Sequence, residues 1–444
     1  MTRSLAHRTA ASGPRARVPP VVLMASLANF VVLADATIVT IALPTIKDAL
    51  RFSANGLPWV VNGYSLAFGG CLVLGGYAAD RLGPRLPFVA GMVLFAVGSA
   101  GCAAADTAGA LVAGRLVQGT GGALFSPAAL AVVTATAVGA DQRARALAVW
   151  SGAGACAVAC GPVLGGALTG LFGWPSIFWL PALVCLGAAT AGVRRLPRSR
   201  RGRLRRASPS AAPFPLRRVA GACAVLALAS AALVGASYSA TLWVQEILGL
   251  DPVRAGLALL PVSLGIVAGA AAAPALTRLR GERGVAILGL AVAALGMLLL
   301  LPTPVRVPMA VLVAALAVLA VGFGVQSVPV SALATVVPRH RGLASAAYQT
   351  AGQIGGGLGL VVLAAVAAAR TAGSAGAGDQ APVATDQALV AGYHASFAAG
   401  AGALLLATLV ATRLRRDEDV PPAIGDRHAV DADRSRRRHG LLGE

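Results

Sequence analysis

Apolar residues in this chain neither alternate nor mark one face of a helix; they run together in blocks of about twenty, each closed by a short polar or Gly/Pro-rich break. Crossing about 30 Å of hydrocarbon takes about 20 apolar residues in a helix. Blocks of that length lie near 19–45, 57–79, 86–105, 108–136, 146–171 and 175–193, and again near 219–245, 254–277, 284–302, 307–335, 342–369 and 391–412. The pattern predicts twelve transmembrane helices.

One long interior break, "RRLPRSRRGRLRRASPSAAPFPLRR" over 194–218, divides them into a six-helix bundle over 19–193 and another over 219–412. A segment over 1–18 precedes the first helix and a polar tail over 413–444 follows the last; the tail has no apolar period and reads as disordered. The halves echo each other. "GGALFSP" ending at Pro127 matches "FGVQSVP" ending at Pro329, pairing Gly122 with Gly324, and "DRLGPR" after the second helix has a decayed counterpart in "TRLRGER" after the eighth. Duplication of a six-helix unit is a pattern of secondary transporters.

Composition agrees: 57% of residues are hydrophobic, 12% are charged and the mean hydropathy is +0.75, against about 45–50% apolar and 25% charged in soluble domains. The formal net charge of +20 suggests a polyanionic partner only until the cations are placed. Of the 37 Lys and Arg residues, 31 fall in segments on the side of the N-terminus. This is the positive-inside pattern, with both termini in the cytoplasm of a plasma (inner) membrane and no call for nucleic acid. The first block is too long for a signal peptide and ends in Lys47-Asp48, so it reads as a retained helix.

Other chemistries lack their motifs. Lys47 is the only lysine, which removes the GxxxxGK[ST] loop; neither HExxH nor GxSxG occurs, and the histidines 7, 340, 394, 428 and 439 lie in termini, loops or a helix start. Cysteines 71, 102, 156, 160, 185 and 223 sit in or beside apolar blocks without zinc-ligand spacing. Neither an enzyme, a metal nor a cofactor is expected.

Two charges lie deep in the blocks, Asp35 and Arg115, where each costs on the order of 2.5–3.5 kcal/mol. At 1.5 Å per residue Asp35 is roughly 22 Å from the start of its helix, hence about 8 Å from the far face, and Arg115 enters from that face to roughly 12 Å. The two are within reach of each other. Either they form a proton-coupling site, with protonation of Asp35 competing with cargo, or they form a buried ion pair that only fixes helix packing. Polar or aromatic residues inside spans, Asn29, Asn62, Tyr64, Gln118, Trp243, Gln326, Tyr348, Gln349 and Gln353, are expected mostly to line a central substrate cavity, because lipid would leave their polar groups unsatisfied. Glu246 reads as a second cation site or as an interfacial carboxylate in water. Glycines at 152, 154, 161, 165 and 166, and again at 355, 356, 357 and 359, allow close helix approach.

Four motifs in order carry a resemblance. "LADATIVTIALP" in the first helix, "GYAADRLGPR" over 76–85, "RLVQGTGGALFSP" over 115–127 and "GPVLGGAL" over 161–168 resemble signatures of the major facilitator superfamily, specifically its multidrug proton-antiporter branch of EmrB/QacA type. The resemblance covers 21–413 and implies an all-α integral membrane protein with the major facilitator fold. It further implies a conformational latch at Gly76, Asp80, Arg81, Gly83 and Arg85, for which a plain surface salt bridge is the alternative. An antiporter motif falls at Gly161, Pro162, Gly165 and Gly166, where tight packing would limit ion leak or simply be membrane packing. Departures are also plain: the branch typically has fourteen helices, Pro84 replaces a basic residue, and Gly352 stands where an Arg often precedes Gln353. The expected function is export of small amphiphilic compounds in exchange for protons, by a monomer in the lipid bilayer. Proton-coupled uptake, a dedicated metabolite carrier, a transport-dead sensor and a membrane enzyme are the alternatives.

Overall fold

A computed structural model describes residues 19–53, 56–136, 140–196, 216–334, 341–374 and 382–414. The expected segment 1–18, most of the 194–218 linker and the tail beyond Leu414 lie outside these residues. Among the described residues the regular structure is eleven α-helices: α1 (Pro20–Leu50), α2 (Trp59–Leu82), α3 (Arg85–Ala103), α4 (Ala108–Thr136), α5 (Ala140–Phe172), α6 (Ser176–Arg195), α7 (Leu216–Leu242), α8 (Pro252–Leu299), α9 (Met309–Ala334), α10 (Arg341–Ser374) and α11 (Pro382–Arg413). All eleven contain a stretch long and apolar enough to cross a membrane.

The difference from twelve lies in α8. At 48 residues a straight helix would be about 72 Å long, more than twice the hydrocarbon thickness. It is not straight: Gly281 leaves the helical region with φ 71° and ψ 165°, a left-handed conformation open to glycine. Before that break Gly265 and Gly269 lie against Ala317 and Val321 of α9, and after it Gly289 and Gly296 lie against Gly322 and Leu319 of the same helix. Both limbs run along one stretch of α9, so the chain reverses at Gly281. The expected spans 254–277 and 284–302 fall one on each limb.

Proline does not end these helices. Pro20 and Pro252 occupy first turns, where no amide proton is missed, whereas Pro44, Pro127, Pro162, Pro181 and Pro329 lie inside helices that continue past them, as neighbouring helices in a membrane permit. α7 closes with a feature the sequence did not announce, a π-helical turn over Trp243–Ile247.

Glycine sets the packing. Gly91 and Gly98 of α3 lie against Gly121/Phe125 and Gly114/Gln118 of α4. Gly289 and Gly296 of α8 repeat that contact against Gly322/Gln326 and Ala315/Leu319 of α9. The internal duplication is therefore physical, and its register matches Gly121 with Gly322, one residue away from the Gly122/Gly324 pairing suggested by sequence. Across the two halves, Thr350 of α10 donates to the Gly69 carbonyl of α2 at 3.0 Å, Gly256 of α8 lies against the Pro162 backbone of α5, and Gln245 donates to the Ile41 carbonyl at 2.9 Å.

A Cβ at position 98 would sit 2.5 Å from the Gln118 amide nitrogen, whereas one at 101 meets nothing within 4 Å. Overpacking of this kind costs about 1–3 kcal/mol. Gly98→Leu is therefore expected to lower the unfolding temperature of the detergent-purified protein by several degrees and Gly101→Leu to leave it unchanged; equal shifts would refute this packing.

Candidate functional site

The two buried charges meet. Asp35 from α1 and Arg115 from α4 approach to 2.6 Å between Oδ2 and Nη1, with each side chain only 1% exposed. Arg115 Nη1 also donates to Gln118 Oε1 at 2.7 Å, and Gln118 Nε2 donates to the second Asp35 oxygen at 2.8 Å. Gln118 further reaches Ser99 Oγ at 3.1 Å. Ser99 donates in turn to the Phe178 carbonyl at 2.9 Å, and Arg115 Nε donates to the Val60 carbonyl at 2.8 Å. The guanidinium carbon stands 4.5 Å from the Tyr64 ring centroid, a favourable cation–π distance. One network thus ties α1, α2, α3, α4 and α6 inside the first half.

Beside it lies a cavity of about 390 Å³ between the halves, within the range of small-molecule sites. From α1 its wall takes Ala36, Thr37, Thr40 and Ile41, the residues immediately after Asp35, and Pro162 of α5 adds to it. Gln349 and Gln353 of α10 line it, and Gln349 also donates to Ser345 Oγ at 3.4 Å.

The remaining cavity candidates are elsewhere. Tyr64 and Gln118 belong to the charged network. Asn29 donates to the Trp150 carbonyl at 3.1 Å, pinning α1 to α5. Asn62 is buried at the α2–α10 contact, beside Gly357. Trp243 is buried in the π-helical turn against Phe397 and donates to the Val305 carbonyl. Gln326 is buried against α8, and Tyr348 donates to the Ser327 carbonyl at 3.2 Å. The physical reason is common to these groups: a polar side chain kept from lipid is equally sheltered by a neighbouring helix, of its own half or of the other. Residue type alone does not separate bundle from cavity.

In the 76–85 loop, Gly83 adopts φ 78° at the α2–α3 turn, and Arg85 donates to the Val193 carbonyl at 2.6 Å. Arg81 stands 4.8 Å from the Tyr77 ring, Gly76 has open space where a Cβ would point, and Asp80 is exposed. Gly161 and Gly165 of α5 lie against Thr37 and Ile38 of α1, and Gly166 against the Pro252 backbone of α8. Two features escaped the sequence. One is the row of cavity hydroxyls, Thr37, Thr40, Ser65, Ser230, Ser237, Thr241 and Ser263, whose only signal is the helical spacing of Ser230, Ser237 and Thr241 along α7. The other is a salt bridge of 2.6 Å between Lys47 at the end of α1 and Glu246 in the π-helical turn, which joins the halves at the face where α1 ends.

Membrane-length helices in two internally related halves, with a cavity between them and a buried ion pair beside it, define the class of a membrane transporter rather than an enzyme. The comparisons agree: the family model of the Major Facilitator Superfamily matches residues 25–360, and this chain belongs to that superfamily. It is 32% identical to the puromycin resistance protein of Streptomyces alboniger over 86% of this chain and 88% of that one. It is 27% identical to the tetracenomycin C resistance and export protein of Streptomyces glaucescens over 82% and 79%, and 29% identical to a multidrug efflux pump of Mycolicibacterium smegmatis over 74% and 77%. In fold it resembles a bacterial homologue of the human lysosomal transporter Spinster in an inward-facing, occupied conformation, with a TM-score of 0.71, 18% identity and coverage of 91% and 98%.

Removing one partner of a buried ion pair typically costs about 3–5 kcal/mol, because the other charge is left uncompensated. Arg115→Ala is expected to lower thermal stability sharply, and adding Asp35→Asn in the same chain to recover a large part of the loss. A double variant as unstable as the sum of the two singles would show that the charges do not stabilise each other.

Proposed function

We propose that this protein exports small amphiphilic compounds across a bacterial plasma membrane in exchange for protons, by alternating access between two six-helix halves with both termini in the cytoplasm. Twelve spans follow when the two limbs of α8 are taken as separate crossings. The observation that carries the reading is the position of Asp35: a carboxylate sealed from lipid and water, held by two donors, whose next residues form the cavity wall.

Protonation of Asp35 cancels the charge that holds Arg115 and turns one carboxylate oxygen from acceptor to donor. The two hydrogen bonds that fix α1 against α4 are then no longer both satisfied, and α1 is released with the wall residues Ala36 and Thr37. The same helix carries Ile41 and Lys47, which close the far face against Gln245 and Glu246. Proton occupancy, cavity shape and far-side closure are thereby linked through one rigid element. Contacts at Gly166–Pro252 and Gly170–Val253 also lie toward that face, which supports a cavity loaded from the side of the termini. Names of the relatives, all resistance or export proteins, support the outward direction.

The test is growth of an efflux-deficient host carrying the native chain or Asp35→Asn at matched levels, across cationic, neutral and anionic toxic amphiphiles. The native chain is expected to protect against part of the panel and Asp35→Asn to abolish that protection. Protection that survives Asp35→Asn removes the coupling role, and sensitisation by the native chain indicates uptake.

A further inference from the structure

Among the described residues, the cavity wall contains no Asp, Glu, Lys, Arg or His. Asp35 does not supply the missing charge, since its side chain is 1% exposed and both of its oxygens are engaged by Arg115 and Gln118. Its field is also cancelled by the guanidinium at 2.6 Å. A cation entering this space would shed its hydration without meeting a counter-charge, the costliest form of burial.

The wall's hydroxyls differ in whether their protons are already committed. Thr37, Thr40 and Thr241 donate their hydroxyl protons to the carbonyls of Ala34, Thr37 and Ser237 on their own helices, at 3.0, 2.7 and 2.8 Å, so they offer lone pairs. Ser230 of α7 and Ser263 of α8 are 9% and 6% exposed, line the cavity and make no side-chain hydrogen bond among the described residues. With no partner among the described residues, these two hydroxyls are free to bond a molecule that enters the cavity they line. The Gln353 side chain, on the opposite half from Thr37, adds an amide with a donor and an acceptor.

We propose that this cavity binds uncharged amphiphiles bearing carbonyl or hydroxyl oxygens, held by Ser230, Ser263 and Gln353, and discriminates against permanent cations. The assignment deepens the export reading, on which it rests for the direction of movement alone. It also makes transport carry one net charge for each proton exchanged, since neutral cargo moves none.

The test uses two probes of similar shape, triphenylphosphine oxide, which is neutral with one acceptor oxygen, and the cation tetraphenylphosphonium. Equilibrium dialysis against the full chain in nanodiscs, with empty nanodiscs as blank, measures both. The native chain is expected to bind the oxide about tenfold more tightly than the cation. Ser230→Ala with Ser263→Ala should weaken oxide binding by about tenfold, and Gln353→Glu, which is isosteric, should reverse the preference. Equal or tighter binding of the cation by the native chain overturns the proposal, as does failure of the native chain to bind the oxide. Oxide binding to the native chain, displaced by no expelled compound in cells and accompanied by no protection of the host, supports the class of ligand while refuting export.

Discussion

A carboxylate and a guanidinium 2.6 Å apart in a low-dielectric interior constrain everything around them. Neither charge is tolerable there alone, so α1 and α4 must lie at one depth and one rotation for the pair to form. Gln118 turns the pair into a three-body arrangement by occupying the second carboxylate oxygen, and Ser99 extends it to the Phe178 carbonyl of α6. The glycines at 91, 98, 114 and 121 matter because they bring α3 close enough to α4 for Ser99 to reach that amide.

The geometry gives α1 an unusual share of the work. Over three to four turns it carries the buried acid, the cavity wall and the far-side lysine. α1 continues as one helix through Pro44 to Lys47, so in the proposed cycle a displacement at Asp35 would reach Lys47 along the helix itself. The matching positions of the second half are uncharged: the packing position of Phe125 is held there by Gln326, and that of Gln118 by Leu319. The duplicated scaffold is kept, while the buried Asp35–Arg115 pair has no charged counterpart at the matching positions.

Much of the architecture was legible because a bilayer leaves helices few alternatives. Block length gave the spans, and rise per residue places Asp35 and Arg115 at similar depth, where the structure pairs them. The reversal at Gly281 separates the two limbs where the polar stretch "TRLRGER" suggested a loop, yet helical turns run so close to the glycine that the segment reads as one helix. What the sequence did not reveal is where polar side chains point. Asn62, Gln118 and Gln326 share composition and setting with Gln353, and only the last faces the cavity; the choice depends on helix rotation, which near-uniform apolar blocks encode weakly. The cavity's serines and threonines carry no sequence signal for the opposite reason: a hydroxyl that bonds its own helix backbone sits in an apolar block at little cost. Lys47 and Glu246 are 199 positions apart, and nothing local to either announces the other.

Proton exchange at Asp35 carries the proposed export. Its most direct measurement is luminal pH, read with a trapped dye, in proteoliposomes containing the purified chain when a cargo identified by host protection is added with no imposed gradient. Cargo movement is expected to drive protons the opposite way in the native chain, and to leave luminal pH unchanged in Asp35→Asn although cargo still binds. Proton movement in the same direction as cargo, or undiminished exchange in Asp35→Asn, would contradict it.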